Sequence, residues 1–182
     1  MLLLDKLPNC TPNGLRIRSD FRESIKFELL MQDNRIEDTE KIALALNLYY
    51  YDVPTNIEKA IEDMLWFYRC GKEIKTSRGE KESKQIYSYE FDDELIYSAF
   101  KDQYSIDLNS IKYLHWWKFK AMFEGLKEDN RIVEIMGYRA IDLGKIKDKE
   151  EKARYKKLKK LYALPDMRTP EQKEADFGRA FW

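Results

Sequence analysis

The chain has 182 residues, in which 33 Lys and Arg balance 33 Asp and Glu beside one His and two Cys. That length can bury enough surface for one domain or two small ones, so no disulfide or metal staple is required. A net charge of zero supplies no overall field for nucleic acid or an anionic membrane. A content of 43% hydrophobic and 36% charged residues suits helices with one apolar stripe and one solvated face.

Residues 1–19 are turn-rich, with Pro8, Pro12 and Asn13-Gly14, and the alternation of Leu15 and Ile17 predicts one short extended stretch. The apolar run at residues 1–4 meets Asp5, Lys6 and Pro8 at once, too short for a signal-peptide core or a membrane span. Phe21, Ile25 and Leu29 recur at helical spacing behind Ser19 and Asp20, predicting a first helix to about residue 32. A second, capped by Asp38 or Thr39, is expected to bury Ile42, Ala45, Leu46 and Tyr49 and to end before Pro54. Thr55 and Glu58 have capping-box spacing for a third helix, and Gly71 stops it.

Residues 71–85 hold one apolar residue and two glycines, which reads as a flexible polar linker between two helical lobes, 1–70 and 86–165. In the second lobe a fourth helix starts near Asp92. A fifth is expected from Asp107 or Asn109 through Trp116, Trp117, Phe119 and Leu126. A short sixth around Ile132 is expected to break at Gly137, and a seventh runs from about Asp148 to Leu164. A polar tail, 166–182, closes the chain. The expected fold is mainly α, about seven helices in two small lobes.

Charge is uneven along this plan. Residues 33–63 carry eight acids against three bases, a net of −5, whereas residues 145–160 carry nine bases against three acids, a net of +6. The basic run lacks the interleaved aromatics used for stacking on single strands, so a solvated face or an acidic protein partner is the better reading.

Chemistry is sparse. Cys10 and Cys70 lack a CxxC neighbour. His115 has no nucleophile elbow, and the acids at Asp92, Asp93 and Glu94 are adjacent rather than opposed across a cleft. The glycines stand singly, without a phosphate-binding motif. No enzyme activity, cofactor or metal is expected. The aromatic runs Tyr49-Tyr50-Tyr51, Trp66-Phe67-Tyr68 and Trp116-Trp117 are consecutive, and no helix buries every member of such a run on one face. Trp116, Trp117 and Phe119, followed by Tyr50, Trp66 and Phe67, are therefore the expected protein-binding residues.

Several blocks resemble one family. They are Ser19-Asp20-Phe21-Arg22, Leu95-Ile96-Tyr97-Ser98-Ala99-Phe100, Tyr104-Ser105-Ile106-Asp107-Leu108, Leu114-His115-Trp116-Trp117-Lys118-Phe119, Tyr138-Arg139-Ala140-Ile141-Asp142-Leu143 and Lys159-Lys160-Leu161-Tyr162-Ala163-Leu164-Pro165. In this order they resemble the bacteriophage gp fifteen family of long-tailed phages and prophages of Gram-positive bacteria, with Ser105 standing where glycine is expected. The resemblance implies a tail assembly chaperone in the host cytoplasm. Its implied partners are the tape-measure protein and the tail-tube protein, with self-association as a further expectation. A structural tail component and an effector acting on a host protein are the alternatives.

Overall fold

The computed structural model describes residues 5–73 and 85–166. Most of the expected linker and nearly all of the polar tail lie outside the described residues. Among the described residues the chain forms seven α-helices: α1 (Phe21–Gln32), α2 (Asp38–Tyr49), α3 (Ile57–Tyr68), α4 (Asp93–Tyr104), α5 (Trp116–Glu124), α6 (Arg131–Ala140) and α7 (Lys149–Leu161). There is no sheet among them, only isolated antiparallel bridges. The mainly α expectation is met.

Helices α1 and α2 form an antiparallel hairpin, α3 packs on α2, and α5 lies across α1. Residues from both sides of residues 71–85 meet in one buried cluster, which includes Phe21, Tyr49, Phe67, Phe100, Trp116 and Phe119. Phe119 is its centre. Its ring stacks on Phe100 at 4.9 Å, on Phe21 at 4.8 Å and on Trp116 at 5.7 Å. The polar stretch therefore marks no break in the packing.

The turn-rich N-terminal segment is threaded into this body. Ile17 N–H donates to Asn9 O at 3.0 Å, Arg18 N–H to Tyr49 O at 2.7 Å, and Trp116 N–H to Ser19 O at 2.8 Å. Arg18 also donates from its guanidinium to the carbonyls of Asn47 and Tyr50, closing the C-terminus of α2.

Local chemistry moves several expected boundaries. The side chain that caps α3 belongs to Asn56, which accepts from Lys59 N–H at 3.1 Å, so the Thr55 and Glu58 box is not used. Glu37 precedes α2 with no side-chain cap. In α2 Lys41 is buried together with Ala45, Leu46 and Tyr49, whereas Ile42 is 41% exposed. The Lys41 ammonium reaches Met31 O at 3.2 Å, near the negative end of α1, and its stem turns inward with it.

The fifth helix begins at Trp116, not at Asp107 or Asn109. The Asp107 carboxylate accepts from Asn109 and Ser110 N–H groups at 3.1 Å each, a turn that competes with helix. Residues 114–116 then pair with residues 19–21: Phe21 N–H donates to Leu114 O at 2.9 Å, and Leu114 N–H to the Asp20 carboxylate at 3.1 Å. Gly137 lies inside α6 without ending it, a position that costs about 1 kcal/mol against alanine but blocks nothing.

Two further interactions set α4. Its C-cap, Ser105, has φ 55°, in the left-handed region, and its N–H closes on Phe100 O. This explains why glycine suits the position. At the other end, Arg139 of α6 grips Asp92 with two bonds of 2.6 and 2.9 Å; the Asp92 side chain is buried and that of Arg139 is only 10% exposed. The same guanidinium donates to Tyr162 O at 2.6 Å and Ile86 O at 3.1 Å, tying four segments together.

Two outcomes follow for urea denaturation. Asp92→Ala leaves Arg139 buried without its counter-charge and should cost about 3–5 kcal/mol; a loss below about 1 kcal/mol would show that the pair does not hold α4 to α6. Ser105→Gly relieves left-handed backbone and should add about 1 kcal/mol, whereas a destabilised variant would contradict the strain assigned there.

Candidate interaction surface

Residue by residue, the structure separates the six expected contact residues. Trp116, Phe119, Tyr50 and Phe67 are each at most 1% exposed. They are core residues, not exposed anchors, which corrects the expectation drawn from the aromatic runs. Trp66 and Trp117 are partly buried, with ring centroids 5.5 Å apart. A consecutive pair escapes the one-face limit because neighbouring elements cover both sides. Trp116 stacks on Tyr68 at 5.5 Å, while Trp117 meets Trp66, Phe67 and the Gly71 backbone.

The polar atoms of the Trp pair explain this arrangement. Trp116 Nε1–H donates to Tyr68 O and Trp117 Nε1–H to Phe67 O, both at 2.8 Å. These are carbonyls of the last turn of α3, past the reach of its i→i−4 ladder, and Phe67 O accepts from Cys70 N–H at 2.9 Å as well. The two indoles thus close the end of α3 from α5. Gly71 has φ 71°, and a Cβ there would lie 3.1 Å from the Trp117 ring, so this turn accommodates only glycine comfortably.

His115 caps α5. Its Nδ1 accepts from Trp117 N–H at 3.0 Å, which leaves the proton on Nε2 to be donated to Pro8 O at 3.1 Å. Both ring nitrogens are occupied and the residue is 3% exposed, so it has no free nitrogen to act as a base. Burial holds the imidazole below its ordinary value of 6.5. Burial also pushes the Cys70 thiol up to about 11, away from a reactive thiolate. Among the described residues no group of His, Cys, Asp and Glu is placed to hold a metal ion.

What the surface does offer is an open apolar groove of about 510 Å3 between α1, α4 and the turn after α4. Ile25, Ile96, Tyr97 and Leu108 line it, Phe119 and Tyr89 reach it from the core, and Asp93 and Glu94 form an acidic rim. Tyr97 is 37% exposed. Sequence reasoning missed this groove because its walls come from residues far apart in the chain. Tyr97 and Leu108 lie in quoted blocks, but nothing in their spacing brings them together.

The model for the Bacteriophage Gp15 protein family matches residues 3–164, and the chain belongs to that family. It is accordingly a phage protein of a structural or morphogenetic kind. No curated protein and no solved structure matches it. No helix among the described residues is long and apolar enough to cross a membrane.

The His115 cap gives a pH signature. The neutral ring is required in the folded chain, so its contribution is complete above 6.5 and is lost as pH falls from there through the lower folded value. Glu28 acts with the opposite sign: burial raises its carboxyl above 4.5, so acidification favours its folded form. The difference between wild type and His115→Asn isolates the cap, since asparagine keeps an N-cap oxygen without titrating. Unfolding free energy should fall more steeply below pH 6.5 in the wild type, and parallel curves would remove His115 from the account.

Proposed function

We propose that this chain is a tail assembly chaperone, binding the tape-measure protein in the host cytoplasm before the tail tube polymerises. Membership of the Bacteriophage Gp15 protein family carries the reading. The groove supports it physically. A long helical target exposes apolar side chains at i, i+3 and i+4, and a groove lined by Ile25, Ile96, Tyr97 and Leu108 takes such side chains in turn. Asp93 and Glu94 on the rim favour lysine or arginine flanking the stripe. Several copies along one target would hold it firmly while each site stays weak enough to be displaced by tube subunits.

Tyr97 replaces the buried aromatics as the residue on which contact turns, and Trp116→Ala is unsuitable as a binding test because it would open a core cavity costing about 3–5 kcal/mol. In co-expression with tape-measure fragments, wild type should keep at least one fragment soluble, and Tyr97→Ala should weaken its capture about 30-fold, the effect of an interface hot spot of about 2 kcal/mol. Capture undiminished by Tyr97→Ala rejects the groove. Capture of no fragment rejects the chaperone role, as does the protein's presence at stoichiometric level in purified virions, which would make it a structural component.

A further inference from the structure

We infer that the outward face of α7 docks on the outward face of α3 of a second copy of this chain. This inference does not rest on the tape-measure reading. At 100° per residue, Lys149, Lys156, Lys157 and Lys160 lie within about 100° of arc around Ala153. All five are exposed. The opposite side of the helix is the one that packs: Tyr155 lies 6.4 Å from Tyr138 of α6, and Lys159 donates to Ile141 O at 2.7 Å. None of the 13 residues of α7 is fully buried. Among the described residues, no ion pair engages the four outward lysines. Leu161, at the edge of this face, is 70% exposed.

Helix α3 presents the complement. Its buried side is Ala60, Asp63, Met64 and Phe67. The side turned away carries Glu58 and Glu62, both exposed, flanked on one edge by the half-buried Ile61 and Leu65 and on the other by the exposed Lys59 and the half-buried Trp66. Neither acid has an ion-pair partner among the described residues. An acidic stripe edged with isoleucine therefore faces a lysine stripe edged with leucine. The two helices are of matching length, 12 and 13 residues, or about 18 and 20 Å. Within one chain α7 packs on α6, so the α3 face it complements belongs to another copy.

Two different faces in contact make a heterologous joint, which closes into a ring or continues as a filament. Charge sets its specificity, and apolar edges that leave water on docking add to its strength.

The test is sedimentation velocity of the full chain across a concentration series. Wild type should rise to at least twice the monomer mass, and association should weaken at least about tenfold between roughly 0.05 and 0.5 M salt. Glu58→Lys with Glu62→Lys, and separately Lys156→Glu with Lys160→Glu, should each leave a folded monomer by circular dichroism. Mixing these two variants should restore association, since each then supplies the face that the other's reversed helix requires. Wild type that stays monomeric throughout overturns the inference. So does association that survives either reversal, or a mixture that fails to assemble. Binding of a DNA duplex through α7, with no self-association, would assign the lysine face to nucleic acid instead.

Discussion

The last turn of α3 ends in carbonyls beyond its helical ladder, and two indole N–H groups from consecutive residues of α5 close on them, at Tyr68 O and, beside the Cys70 N–H, at Phe67 O. Everything between these helices depends on that closure. For Trp116 and Trp117 to reach Tyr68 O and Phe67 O, α5 must begin at Trp116, capped by His115, and lie against the end of α3. That start requires residues 113–115 to leave the helical path. They do so by pairing with residues 19–21, where Asp20 caps α1 and accepts from Leu114 N–H as well. The start of α1, the start of α5 and the end of α3 are therefore one hydrogen-bonded junction, with the Phe21 and Phe119 rings stacked at 4.8 Å beside it.

This junction gives a physical meaning to the blocks that carry the family resemblance. Ser19 to Arg22 and Leu114 to Phe119 are its two halves. Arg22 adds bonds to Leu108 O and Ile111 O at 2.9 and 2.7 Å, fixing the turn between α4 and α5. Arg139 supplies the second fixed point by pairing with Asp92 while holding Tyr162 O. Apart from Leu95 to Phe100, each block contributes a polar side chain that satisfies backbone or charge inside the protein, where an unmet group costs more than the bond gains. Residues of this kind identify the fold and say little about what the outer surface meets.

That distinction accounts for what was legible in the sequence. Helical periodicity located all seven helices, and α1 and α7 were read close to their observed ends because Asp20 and Asp148 are local caps. Periodicity overextended α5, since the Asp107 turn and the pairing with residues 19–21 are tertiary facts. It also placed Ile42 inside, where Lys41 is drawn in by a carbonyl of the preceding helix. The aromatic runs misled for a related reason. The one-face limit applies to an isolated helix, but α5 is enclosed by α1, α3 and the residue 70–71 turn, so both faces of the Trp pair are covered. Their polarity gave no warning, because an indole N–H is equally suited to an interface and to an orphan carbonyl.

With Tyr50, Phe67, Trp116 and Phe119 in the core, the groove and the two helix faces are modest surfaces for recognition. An open groove with one half-exposed tyrosine, and two single-helix charged stripes, are each too small to give a tight complex alone. Weak sites become effective only when repeated, either along an extended partner or between copies of the chain. The two kinds of surface lie on different elements, the groove on α1 and α4 and the stripes on α3 and α7. A copy joined to its neighbour through α3 and α7 as proposed would keep its groove open, and the joined copies would present a row of such grooves. In the proposed assembly, stable capture of a long helix and its later release would follow from the same feature, since removing one end copy would break only one weak joint and one weak groove contact at a time.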